Sequence, residues 1–283
     1  MRTEANPLQD MAEDSWSKAP GRLLRRTLRQ LKRDYDKVIL AILGFVLFFV
    51  IWHYASVAID NPALPTPGKV LHALGESFKS RPAGDLNPWT MQQHVAASLK
   101  RILYGSALAI ILAVPLGLLM GFSKRVEALF IFPLELIRPI PPIAWLAFAI
   151  AMFATGLDVV FIIFLGIFFP IFVNTMDGVK KVDPMLVDAA QTLGARRLQV
   201  FYKVILPAVV PQTMTGVRVG VGVGWMTIVA AEMVGVSPGL GWFIWTYGQL
   251  GLYDLMFAGM LMLGIISIVI ARLLIALERW LQR

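Results

Sequence analysis

Among the charged residues within stretches otherwise apolar enough to cross a bilayer are Glu135, Arg138, Arg218 and Glu232. Ionisable groups are costly in lipid and usually face a bundle interior or a water-filled route, so their chemistry is binding and ion pairing. Glu135 and Arg138 lie three residues apart, which lets them share one helical face. Pro139, Pro141 and Pro142 follow at once, and a break there frees backbone groups near mid-membrane. Such a break is tolerated where backbone lines a cavity or is buried in protein. Arg138 and Arg218 can line a route for an anion or form neutralised structural pairs, and the sequence leaves both open. Glu232 lies at the outer end of its stretch, where it can pair with Lys100 or Arg101 or cap an outer gate. No catalytic residue is apparent, because no nucleophile–base pair can be picked out. His53, His72 and His94 share no ligand spacing, so no metal site is expected. Gly68-Lys69 is followed by Val70 and residue 63 is alanine, so no P-loop is completed. Any ATP used would be hydrolysed by another chain.

The elements that must position these residues are membrane helices. The chain is 57% hydrophobic and 16% charged, with a mean hydropathy of +0.68, whereas soluble domains carry about 25% charged residues. Its net charge of +8 is spread over a few short polar segments, which fits membrane topology better than a nucleic-acid-binding face. The expectation is an all-α polytopic protein with a basic arm over residues 1–37 and a transmembrane domain over 38–283. Spans are expected at 38–58, 98–122, 128–153, 158–176, 212–234 and 255–277, each near the ~20 residues a bilayer core requires. The apolar core begins too late for a cleavable signal peptide, so the first span should be retained. Leu23, Leu24, Leu28 and Leu31 lie on one face among arginines, as in an interfacial helix, although a basic flank that sets orientation explains them equally. A short amphipathic stretch is expected at 70–78 and an uncharged turn, VSPGLGW, after the fifth span. Trp225 and the aromatics at 242–247 suit interface anchors.

Lys and Arg concentrate in the arm, the 123–127 turn, the 177–207 loop and the C-terminal end. Cytoplasmic segments are enriched in both, so six spans with both termini inside satisfy the pattern. The loop at 183–207 then faces the cytoplasm. Asp183 before Pro184 is a helix start, with a carboxylate N-cap and proline at the first helical position. Gly194 is suited to ending that helix. Ala189, Ala190 and Gly194 form a small-residue face that a partner could approach closely. A second helical stretch at 195–206 follows, and Pro207 and Pro211 are expected to break the chain where it re-enters the membrane. Gly216, Gly220 and Gly224 recur at four-residue intervals, a stripe that serves close packing within one subunit or the meeting of two copies at a twofold axis.

Asp188-Ala189-Ala190, Gly194 and Leu206-Pro207 together resemble the EAA loop of the permease subunits of bacterial ABC importers. Asp188 stands where that family usually has Glu, and Val204 where it usually has Ile. PTPGKVLHAL, SLKRILYG, RPIPPIAWLAFAI and TGVRVGVGVGWMTIVAAEM extend the likeness over nearly the whole chain. They are similar to the nitrate, sulfonate, taurine and bicarbonate branch. The resemblance implies a type I importer permease fold in the inner membrane and a coupling helix that docks on a partner ATPase, with MgATP on two such subunits. It also implies a substrate-binding protein outside and a small anion as cargo. One handle per chain points to a second permease copy, most simply a homodimer. The alternative is an ion-coupled carrier or channel, in which inverted repeats and paired broken helices are common; here one break and no evident repeat are found.

Overall fold

The computed structural model describes residues 19–79, 89–153, 156–235 and 238–281. Residues 1–18 of the arm, Arg81, Val236 and Ser237 of the uncharged turn, and Arg283 lie outside them. Among the described residues the regular structure is helical. Helices at Ile39–Ile59, Met91–Phe122, Leu157–Lys180, Arg197–Val234 and Tyr253–Trp280 are long and apolar enough to cross a membrane. Lys124–Ile137 and Pro142–Met152 add a sixth if they form one span, bent by 86° at the break.

The chain divides into two units, 1–67 and 68–283. The first holds α1 (Ala19–Ile59), which runs from the basic arm into the first span without interruption. Its end is tied to the following turn by Trp52 Nε1, which donates to the Pro65 carbonyl (3.1 Å), and by Ser56 Oγ, which donates to that of Leu64 (2.5 Å).

The second unit comprises α2 (Pro67–Lys79), α3 (Met91–Phe122), α4 (Lys124–Ile137), a 3-10 turn at Pro142–Trp145, α5 (Leu146–Met152), α6 (Leu157–Lys180) and α7 (Pro184–Thr192). It continues through α8 (Arg197–Val200), a π-helical turn at Phe201–Ile205, α9 (Leu206–Gly235), α10 (Leu240–Gln249) and α11 (Tyr253–Leu281). Helix α6 is the hub. Ile162, Ile163, Ile167 and Ile171 on it are fully buried. Gly216, Gly220 and Gly224 of α9 pack on it from one side: a Cβ on Gly220 would lie 2.9 Å from the Ile167 carbonyl, and one on Gly216 3.0 Å from that of Pro170. The stripe therefore serves packing inside one chain.

A second small-residue stripe packs α3 on α6. Gly105, Ala109, Ala113, Gly117 and Gly121 recur at the same four-residue interval, and a Cβ on Gly117 would stand 2.9 Å from the Phe172 carbonyl. In lipid there is no water-driven force to join helices, so backbones that approach closely gain dispersion instead.

Three expectations are corrected. Pro207 and Pro211 do not break the chain. The helix runs through both, and the missing N–H of Pro207 is accommodated by the preceding π-turn, where Leu206 N–H reaches back to the Phe201 carbonyl. The second helical stretch therefore begins at Arg197 and runs on into the fifth span. The expected turn VSPGLGW is helical from Leu240 on, where it opens α10, whose Leu240, Phe243 and Tyr247 are fully buried. Trp225, Phe243 and Tyr247 are core residues and not interface anchors, and Trp225 Nε1 donates to the Leu263 carbonyl at 3.3 Å.

Candidate functional site

The features singled out in the sequence fall into three places: an exposed helix between the fourth and fifth spans, a cleft at the break of the third, and a buried polar cluster at the N-terminal end of α10.

Helix α7 is closed at both ends by its own sequence. The Asp183 carboxylate accepts from Met185 N–H (2.9 Å) with Pro184 at the first helical position. At the other end Gly194 adopts φ +80°, the left-handed region that favours glycine. Its N–H donates to the Gln191 carbonyl (2.9 Å) and that of Ala195 to the Ala190 carbonyl (3.0 Å), the paired bonds of a Schellman stop. Val187 and Ala190 rest on a small apolar cluster of Val179, Val200, Ile205 and Val209. Phe122 and Phe201 meet beside it (5.3 Å), with the Arg197 guanidinium 4.9 Å above the Phe122 ring. The small-residue face therefore divides: Ala190 turns toward the cluster, while Asp188, Ala189 and Gly194 are exposed. Met185, Leu186 and Leu193 are exposed with them, and Leu193 is 88% exposed. These three are not conspicuous in the sequence, because large apolar residues in a short helix look like core.

The bend in the third span opens a cleft of about 370 Å³ between the break, α6 and α9. Arg138 stands on it, with Trp145, Phe169, Val173, Val219 and Val223 as apolar walls. Asn174 adds a polar group whose orientation is set by two bonds: Nδ2 donates to the Pro170 carbonyl (2.8 Å) and Oδ1 accepts from Gln212 (3.1 Å). Glu135 and Arg138 are both exposed and form no ion pair with each other among the described residues. Pro139 and Pro141 fall in the break, as their missing N–H groups require. Arg218 lies elsewhere. Its guanidinium pairs with Glu278 of α11 at 3.1 Å, beside a separate small recess.

Glu232 is fully buried. Its carboxylate accepts from Arg101 Nη1 (2.6 Å), from Ser98 Oγ (2.9 Å) and from Gly241 N–H (2.9 Å). Ser98 in turn accepts from Leu240 N–H (2.9 Å), and Arg101 also donates to the Pro238 carbonyl (2.7 Å). His94 completes the cluster, with Nδ1 2.9 Å from the Gly239 carbonyl and 3.1 Å from its N–H, so that the tautomer decides which bond forms. Its ring stacks on Trp242 at 5.6 Å. Side chains from α3 and α9 thus satisfy the orphan donors at the start of α10. Of the two basic partners weighed from sequence, Arg101 makes the bond. Ser98 was not singled out and His94 was weighed only as a metal ligand, although they lie three and seven residues before Arg101 on one helical face.

Helices of this length, packed through small-residue stripes beside a mostly apolar cleft, define a polytopic membrane protein. The fold matches that of the MetNI methionine ABC transporter in an inward-facing conformation, with a TM-score of 0.59 at 19% identity over 72% of this chain and 100% of that one. The chain belongs to the family described as binding-protein-dependent transport system inner membrane component, which matches residues 113–283. It is 40% identical to a putative ABC transporter permease protein of Methanocaldococcus jannaschii over 86% of this chain and 90% of that one. It is 38% identical to the taurine transport system permease protein TauC of Escherichia coli, over 83% and 85%. The protein is accordingly a membrane permease component of an ABC importer, working with ATPase partners.

Proposed function

We propose that this subunit forms the translocation pathway for a small anion of the taurine, sulfonate, nitrate or bicarbonate kind, delivered by an extracytoplasmic binding protein. Two ATPase subunits, which carry the MgATP, would engage α7 from the cytoplasm in each of two permease copies, with both termini on that side. ATP binding would close the ATPases and pull both helices, and the π-turn ahead of Leu206 and Pro207 would pass that displacement into α9. The observation that carries this is the ridge of Met185, Leu186, Ala189 and Leu193. It stays exposed although α7 is capped, seated and flanked by Lys180, Lys181 and Asp183, and a polar-rimmed apolar surface is a contact for another protein.

The test is coupling. Asp188→Lys and Gly194→Trp should abolish substrate-stimulated ATP hydrolysis in the assembled complex while the spans stay folded. Normal stimulation in both variants would refute the role of α7. Transport by the chain alone in ATP-free liposomes would favour an ion-coupled carrier instead. Cargo is chosen by screening the cognate binding protein for thermal stabilisation by nitrate, bicarbonate, taurine and alkanesulfonates.

A further inference from the structure

Helix α7 is framed by two cations. Lys180, the last residue of α6, stands three positions before the N-cap Asp183, and Arg197, the first of α8, three positions after the stop at Gly194. Both reach one corner of the chain at 122–127, where α3 ends and α4 begins. Lys180 Nζ donates to Glu127 Oε1 at 2.6 Å, and the Arg197 guanidinium lies 4.9 Å from the centre of the Phe122 ring. That ring also meets Phe201, the first residue of the π-turn, at 5.3 Å. Leu118 and Phe122 pack on the same apolar cluster as Val187 and Ala190 of α7. The entrance, seat and exit of α7 therefore all bear on this corner.

What leaves the corner is the broken third span. No residue of α4 is buried, and the bond from Lys180 to Glu127 is the one side-chain hydrogen bond or ion pair α4 makes among the described residues. Its Val126, Ile131 and Leu134 are only partly covered by the core. An element held this lightly follows whatever grips its base. Lys180 is 39% and Glu127 28% exposed, and ion pairs and cation–π contacts at such exposure add little stability. What they supply is position. Displacement passes between sites through contacts of this kind when they form an unbroken chain.

We infer that Lys180–Glu127 and Arg197–Phe122 are positioning pairs that carry the displacement of α7 into the third span, a second output beside the π-turn into α9. The inference rests on the docking of ATPases on α7 proposed above. Lys180 and Arg197 move with the two ends of α7, and the corner they hold tilts α4 toward or away from the break at Pro139 and Pro141.

The experiment uses the full-length permease assembled with cysteine-free ATPase subunits in nanodiscs. The chain has no cysteine, so cysteines placed at the exposed Leu136 of α4 and Leu157 of α6 take spin labels at those two sites alone. Labelled copies are diluted with unlabelled ones, so that the distance is read within one chain. Trapping with ATP and vanadate should change it by about 2 Å or more. Glu127→Gln and Arg197→Gln should keep the ATPase subunits and their substrate-independent hydrolysis. Each should nevertheless lose most of the distance change and cut the stimulation by loaded binding protein about fivefold or more. Glu127→Asp and Arg197→Lys, which keep the charges, should retain both. An undiminished distance change in either glutamine variant overturns the inference, and so does an equal loss in the charge-conserving variants, which would reduce the corner to packing. Loss of the ATPase subunits from either glutamine variant overturns it too, because the residue would then serve docking. So does a parent complex that transports substrate with no distance change. The docking reading is judged separately by Leu193→Glu. Full ATPase recovery in that variant refutes docking on α7, whereas the corner variants, read with the ATPases bound, refute the corner alone.

Discussion

Arg101 Nη1 lies 2.6 Å from Glu232 Oε1, and this contact joins the second span to the fifth across 131 positions of sequence. Glu232 is fully buried and Arg101 nearly so. Removing one member of such a pair strands the other charge, which costs about 3–5 kcal/mol. Arg101→Ala and Glu232→Ala should therefore each lower thermal stability in detergent substantially, and the double variant should lose less than the sum. Additive losses in that double-mutant cycle would show that the two side chains act independently.

Glycine at 239 and 241 is required for space. Gly239 has φ −180°, extended backbone open to any residue, but a Cβ there would lie 2.5 Å from Glu232 Cδ. At Gly241 it would lie 2.8 Å from Glu232 Cβ. Gly241→Ala should cost about 1–3 kcal/mol by overpacking. Gly222→Ala, on the open face of α9 with nothing within 4 Å, should be neutral or stabilise by up to about 1 kcal/mol. Melting curves of the two variants compare them directly.

Leu193→Glu changes a residue that is 88% exposed. Its melting temperature should stay close to wild type, since exposed substitutions shift stability by about 0.5 kcal/mol or less. Co-purification of the ATPase subunits should fall sharply. Unchanged ATPase recovery would remove the apolar ridge from the docking surface.

Gly194→Ala tests the stop of α7 by backbone strain alone. Forcing a Cβ into the left-handed region costs about 1–2 kcal/mol, and the expected result is local: weaker coupling of ATP hydrolysis to substrate, with the melting temperature of the spans barely changed. A full loss of folded protein would contradict the local character of that stop.

Arg218→Gln separates the two arginines offered for the route. The Arg218–Glu278 pair is 42% exposed on the arginine side, so its loss should cost less than about 1 kcal/mol. Anion uptake should persist in this variant and fail in Arg138→Gln. Equal loss of uptake in both would place Arg218 on the route as well.

Local chemistry was legible without coordinates. The N-cap at Asp183, the stop at Gly194, the proline break after Arg138 and the bilayer-length apolar runs each depend on residues within a few positions of one another. Sequence alone therefore determined a helical membrane protein with a proline break after Arg138 and one capped helix between apolar runs. What it could not assign were choices among distant partners. Gly216, Gly220 and Gly224 suited a twofold axis or a neighbour in the same chain, and only the packing of α6 between α3 and α9 decided for the neighbour. Arg138 and Arg218 were equivalent as isolated charges in apolar helices, and they became different once Glu278 was found beside one and a carboxylate-free cleft beside the other. Helix α10 was missed because its apolar run is shorter than a span and sits among glycines. Its N-terminus is held by Ser98, Glu232 and His94, groups brought together by folding alone.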